Sequence, residues 1–92
     1  MNDLSQEQLN ELEEKYNWNL LLLQFLKEKT EADLETPIQL LQQTYDEKNL
    51  NGIRMISNQI IQWINGIPVS FQVELDAVLK ERFGRGLDLV EN

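Results

Sequence analysis

The sequence predicts an all-α domain, a small four-helix bundle with a long first helix. Residues that favour helices, chiefly Leu, Gln, Glu and Lys, dominate the composition. Only 4 Gly and 2 Pro interrupt the 92 residues. Apolar residues recur at intervals of three and four in four segments, the spacing of one helix face. A chain of this length forms one domain, so we predict a single domain over residues 1–92.

The first predicted helix spans about residues 5–29. Ser5 has the character of an N-cap, and Gln8, three residues later, completes a capping box. Asn17 and Asn19 are weak helix formers, but the apolar repeat keeps its phase through them. We therefore predict one helix about 37 Å long.

Three shorter helices follow. Thr36 and Pro37 match an N-cap and the first helical position of the second helix. Asn65 and Gly66 form a stop signal at the end of the third helix. The predicted ranges are about 37–48, 52–65 and 69–83. Residues 84–92 form a short tail that either docks through its apolar residues or frays.

Helix 1 carries two apolar stripes on opposite sides. The first stripe consists of Leu9, Leu12, Tyr16, Leu20 and Leu23. The second consists of Trp18, Leu21, Leu22 and Phe25. At about 100° per residue the two stripes lie on opposite faces, so this helix needs neighbours on both sides. Each short helix is about 20 Å long, so we expect the three to cover only one end of helix 1.

Two arrangements of the helices would cover both stripes. Each predicts a symmetric homodimer, the commonest closed assembly. In one, the short helices wrap the second half of helix 1, and Leu9, Leu12 and Tyr16 overhang to meet a second copy. In the other, the short helices pack on the first stripe and the second stripe faces the partner. The interface candidates are Leu9, Leu12, Tyr16, Trp18, Leu21, Leu22 and Phe25. The remaining alternative is a monomer in which four helices cover everything.

The chain is strongly acidic, with a net charge of −8. Nucleic acids and anionic membranes bind basic patches, so the sequence excludes both as partners. A basic protein partner stays compatible with this charge. Glu7, Glu11 and Glu14 follow one another at helical spacing and form an acidic face, in line with the second stripe.

The composition offers little for catalysis. The chain has no His and no Cys, the usual sources of a general base, a thiol nucleophile and metal ligands. We therefore predict no catalytic residues, no metal site and no cofactor. A pocket covered by Trp63 and Phe71 stays an open alternative.

The expected location is the cytoplasm. A chain without Cys needs no oxidising compartment, and no signal-peptide pattern is visible at the start of the sequence. The longest apolar run, residues 20–23, is too short to span a bilayer.

The sequence thus predicts a non-enzymatic interaction, adaptor or regulatory module that acts as a homodimer through helix 1. The alternative function is an acidic inhibitor of a basic enzyme, such as a toxin-immunity protein or a nucleic-acid mimic.

Overall fold

The computed structural model describes residues 4–87, and this part of the chain consists of four α-helices without strands. The helices are α1 Gln6–Thr30, α2 Glu35–Asp46, α3 Leu50–Asn65 and α4 Val69–Phe83. This confirms the predicted all-α class and the long first helix. Of the predicted tail over 84–92, residues 88–92 lie outside the described residues.

The start of α1 follows the predicted capping box. The Gln8 amide donates to Ser5 Oγ at 3.1 Å, and the Ser5 amide donates to Gln8 Oε1 at 2.9 Å. These bonds satisfy two backbone N–H groups that have no partner inside the helix. The helix then continues without a break through Asn17 and Asn19.

Helix α2 begins two residues before the predicted position. Asp33 Oδ1 accepts a hydrogen bond from the Glu35 amide at 3.2 Å, which turns the chain ahead of Thr36. Pro37 is therefore the third residue of the helix, not the first. Its missing N–H costs nothing there, because the first helical bond is donated by Ile38. The prediction of Thr36 as N-cap was wrong, since a competing Asx turn comes first.

Helix α3 also begins two residues before its predicted start. Asn49 is its N-cap, and the Asn49 side chain accepts from the Gly52 amide at 2.9 Å. A Cβ at position 52 would lie 2.7 Å from Asn49 Nδ2 and 3.0 Å from Thr44 Cγ2. Glycine is therefore required inside this first turn. The predicted end of α3 at Asn65 and the predicted range of α4 are confirmed.

Helix α1 is the centre of the fold, because it contacts each of the other three helices. α3 begins beside the first half of α1, where Arg54 pairs with Glu11. α4 runs antiparallel to α1, since Lys29 meets Glu74 and Trp18 packs on Phe83. The buried core residues are Leu12, Leu22, Leu23, Leu26, Leu41, Leu50, Ile53, Ile60, Ile64, Leu75 and Leu79.

The short helices cover both ends of α1. Core residues of α1 extend from Leu12 to Leu26, a span of about 21 Å. The expectation that the short helices reach only one end was wrong. They lie staggered along α1 and do not share a common end. The resulting molecule measures 43 × 28 × 22 Å.

Candidate interaction surface

Two of the seven interface candidates lie in the chain's own core. Leu12 is 1% exposed and Leu22 is 0% exposed, so neither presents a side chain to a second copy. The other five are half-buried: Leu9, Tyr16, Trp18, Leu21 and Phe25. Of the three residues predicted to overhang, Leu12 therefore belongs to the chain's own core, whereas Leu9 and Tyr16 keep part of their surface exposed.

The two aromatic candidates nearest the first half of α1 are held by contacts within the chain. The ring of Tyr16 stacks on Tyr45 of α2, with centroids 4.3 Å apart and planes 21° apart. The ring of Trp18 packs on Phe83 of α4, with centroids 5.2 Å apart. Such pairs stabilise a fold beyond the area they bury. Tyr16 and Trp18 therefore serve first as packing residues of the bundle.

Leu21 and Phe25 lie in a different environment, a long groove between α1 and α4. The groove consists of two clefts of about 280 and 330 Å³ that share Leu21 and Gln24. We call this surface the α1–α4 groove. Its apolar lining consists of Leu20, Leu21, Phe25, Val78 and Phe83. All five are half-buried, so the groove keeps apolar surface in contact with solvent.

The two ends of the α1–α4 groove carry opposite charges. Glu28 is exposed at one end, beside an ion pair in which Lys29 Nζ lies 2.9 Å from Glu74 Oε1. The hydrogen bond to Glu74 raises the pKa of Lys29. At the other end Arg82 is exposed and forms no ion pair with any residue of the range 4–87. The sequence did not indicate Arg82 or Glu28 as interface residues. The local sequence around each residue carries no information on the packing of α4 against α1.

The predicted acidic face is only partly available to another molecule. Arg54 donates two hydrogen bonds to Glu11, with Nε 2.7 Å from Oε2 and Nη2 2.8 Å from Oε1. Arg85 pairs with Glu14. Of the three glutamates of this face, only Glu7 is exposed and forms no ion pair with another described residue. Two of the three glutamates thus fasten other parts of the chain to α1.

The Glu11–Arg54 pair predicts a specific pH dependence. The hydrogen bond from Arg54 lowers the pKa of Glu11 below its usual value. A lowered pKa means that the pair stabilises the fold at neutral pH, and that this contribution is lost as the pH falls through the folded-state pKa. We expect wild type to have a higher Tm than Glu11→Gln at neutral pH, with the gap closing in acid. Thermal unfolding of both proteins from neutral to acidic pH measures this difference in Tm.

A matched control for that titration is Glu13→Gln. Glu13 is exposed on the same helix and forms no ion pair within residues 4–87. The difference in Tm between wild type and Glu13→Gln should therefore not change as the pH falls. A Glu11→Gln gap that persists unchanged into acid would contradict the role given to the pair.

One buried polar residue was missed by the sequence analysis. Asn19 is 0% exposed, and its Nδ2 donates to Ser57 Oγ of α3. The Ser57 hydroxyl donates in turn to the carbonyl oxygen of Ile53 at 3.0 Å. Asn19 Oδ1 has no hydrogen-bond partner among the residues that the structure describes. The only local signal was an Asn between the two apolar stripes, which is equally typical of an exposed position.

The open alternative of a pocket at Trp63 and Phe71 stays a prediction. Trp63 is partly exposed on α3 and Phe71 is half-buried on α4. Neither residue lines the α1–α4 groove.

Within residues 4–87, no group of three or more His, Cys, Asp or Glu side chains is placed to hold a metal ion. No helix in the described part of the chain is long and apolar enough to cross a membrane. No family model, curated protein or solved structure matches this chain.

Proposed function

We propose that the protein is a non-enzymatic interaction module that acts as a homodimer formed through the α1–α4 groove. The observation that carries this proposal is the half-buried apolar lining of the groove, with an acidic group at one end and, at the other, an arginine that forms no ion pair within residues 4–87. We place the module in the cytoplasm because a chain without Cys needs no oxidising compartment.

The charge pattern makes the groove complementary to itself. A two-fold axis near Leu21 and Gln24 places two copies of α1 antiparallel. Arg82 at one end then meets Glu28 of the second copy at the other end, and the same pair forms again across the axis. The apolar lining of both copies is covered between these pairs. Within residues 4–87 Arg82 forms no ion pair, and the proposed dimer supplies one.

An interface of ordinary size would occupy a small share of the surface of this chain. A standard interface buries about 800 Å² on each partner. That is about one eighth of the 6436 Å² accessible surface of this chain. The groove extends along α1 from Asn17 to Lys29, about 18 Å. Aromatic anchors such as Phe25 are the residues that contribute most at interfaces of this size.

Reversal of the two groove charges tests the proposed dimer. Arg82→Glu and Glu28→Arg should each weaken self-association at least about tenfold, because each places like charges opposite one another. The double variant restores opposite charges and should recover most of the affinity. Sedimentation equilibrium gives the dissociation constants. A double variant as weak as either single variant would contradict the two-fold pairing.

The apolar lining has its own test. Phe25→Glu should give only monomer, since it places a charge in the centre of the interface. Met55→Glu is the matched control, because Met55 is 72% exposed on α3 and does not line the groove. It should leave the dimer intact. A wild-type chain that sediments only as monomer at tens of micromolar would overturn the proposal.

The alternative, an acidic inhibitor of a basic enzyme, has less support. It requires free glutamates on α1, and both Glu11 and Glu14 are paired within the chain. Salt separates the two functions. Two copies of charge −8 repel each other, so an apolar dimer should persist as salt rises. A complex with a basic enzyme should weaken steeply under the same conditions.

A further inference from the structure

A third cleft lies on the other flank of α1, where α1, α3 and the segment after α4 meet. Its volume is about 360 Å³. Lys15 and Trp18 line it from α1, Ser57 and Ile61 from α3, and Arg85 from the segment after α4. We call it the Trp18 cleft. It shares no lining residue with the α1–α4 groove.

The Trp18 cleft has a charge opposite to that of the whole chain. The chain carries 16 acidic and 8 basic residues, yet among residues 4–87 two basic residues and no acidic residue line this cleft. Lys15 is half-buried and forms no ion pair with other residues of the range 4–87. Arg85 is held by Glu14, and its guanidinium lies 4.8 Å from the centroid of the Trp18 ring. Lys15 therefore offers a positive charge to an anion that enters the cleft, beside an arginine that Glu14 already holds.

The walls of the cleft favour a ligand that also has an apolar body. Trp18 contributes an indole ring that is half-buried and held by Phe83. Ile61 contributes an aliphatic side chain that is 37% exposed. Ser57 is fixed between Asn19 and the Ile53 carbonyl, so this part of the wall is already ordered. An ordered wall lowers the entropy lost on binding.

We propose that the Trp18 cleft binds a small organic anion, a carboxylate attached to a planar apolar ring. The carboxylate pairs with Lys15, beside the Arg85 guanidinium that Glu14 holds, and the ring packs against Trp18 and Ile61. The cleft volume falls at the lower end of the range for small-molecule sites, about 300–1,000 Å³, and suits a ligand of one or two rings. The Trp18 cleft and the groove of the proposed dimer have no lining residue in common.

The experiment is an amide-resolved NMR titration with naphthalene carboxylate as the probe. We expect saturable shifts at the Trp18 indole N–H and at the backbone amides of Ser57 and Gly86, which line the cleft. Lys15→Gln should weaken binding about tenfold, the effect of losing one charge-assisted contact. Lys27→Gln is the matched control, since Lys27 is exposed on α1 and does not line the cleft, and it should leave the affinity unchanged.

A neutral probe distinguishes an anion site from general apolar binding. Naphthalene carboxamide has the same ring and no charge, and it should bind at least about tenfold more weakly than the carboxylate. Equal binding of the two probes would overturn the proposal, as would shifts centred on Leu21 and Phe25. Unchanged affinity in Lys15→Gln would also overturn it. Arg82→Glu, which disrupts the proposed dimer, should bind the carboxylate like wild type, so the two proposals can fail separately.

Discussion

Replacement of Leu22 by alanine is expected to lower the free energy of unfolding by about 2–5 kcal/mol. Leu22 is 0% exposed in the core between α1 and its neighbours. The shorter side chain loses apolar contacts and leaves a cavity that the packed helices fill only in part. A domain of this size has a total stability of about 5–14 kcal/mol, so the loss is a large share of it. Urea denaturation followed by circular dichroism measures the change.

The neighbouring Leu21 is the matched control for that substitution. Leu21→Ala removes the same atoms from a half-buried position in the α1–α4 groove, so its effect on the unfolding of the monomer should be clearly smaller. Leu21→Ala should weaken self-association more than Leu22→Ala does. If Leu22→Ala dissociated a dimer without loss of monomer stability, Leu22 would be an interface residue and the core described above would be wrong.

The buried pair of Asn19 and Ser57 is expected to give a non-additive mutant cycle. Ser57→Ala removes the acceptor of the Asn19 side-chain amide, which then has no partner for either of its polar atoms. An unsatisfied buried amide costs about 1–3 kcal/mol. In Asn19→Leu, the leucine side chain has nearly the same shape as the asparagine side chain but carries no polar group. The double variant Asn19→Leu/Ser57→Ala should therefore be at least as stable as wild type.

Equilibrium unfolding of the four proteins in the cycle gives the coupling between the two positions. Ser70→Ala is the matched control, because Ser70 is exposed on α4 and should change stability by less than about 0.5 kcal/mol. A Ser57→Ala variant as stable as this control would show that the Asn19 amide does not depend on Ser57.

The helix boundaries were predictable where one local signal acted alone. Ser5 and Gln8 form a capping box that only their own spacing determines, and the prediction there is confirmed. At the start of α2 two local signals compete, an Asx turn at Asp33 and a cap at Thr36. Packing of Leu34 and its neighbours on the core decides between such signals, and that packing depends on residues far away in sequence.

The candidate surface was less predictable, for a geometric reason. Helical periodicity gives the angle of a side chain around its own axis, but not the direction in which neighbouring helices lie. Leu22 and Leu21 are adjacent members of the same predicted stripe, yet the first is in the core and the second lines a groove. Arg54 and Arg85 pair with glutamates 43 and 71 positions away, and no local pattern indicates such pairs.

Helix α4 packs chiefly on α1, and this one-sided attachment makes it the part of the fold most readily released. Local opening is easier for an element with few packed neighbours, so we expect α4 to behave as a separate unit of lower stability in hydrogen exchange. Glu74 and Val78 line the proposed dimer surface, so this surface is complete only while α4 is docked. Any partner that binds there must stabilise the docked state by mass action. Slower amide exchange in α4 at higher protein concentration is then a direct readout of assembly.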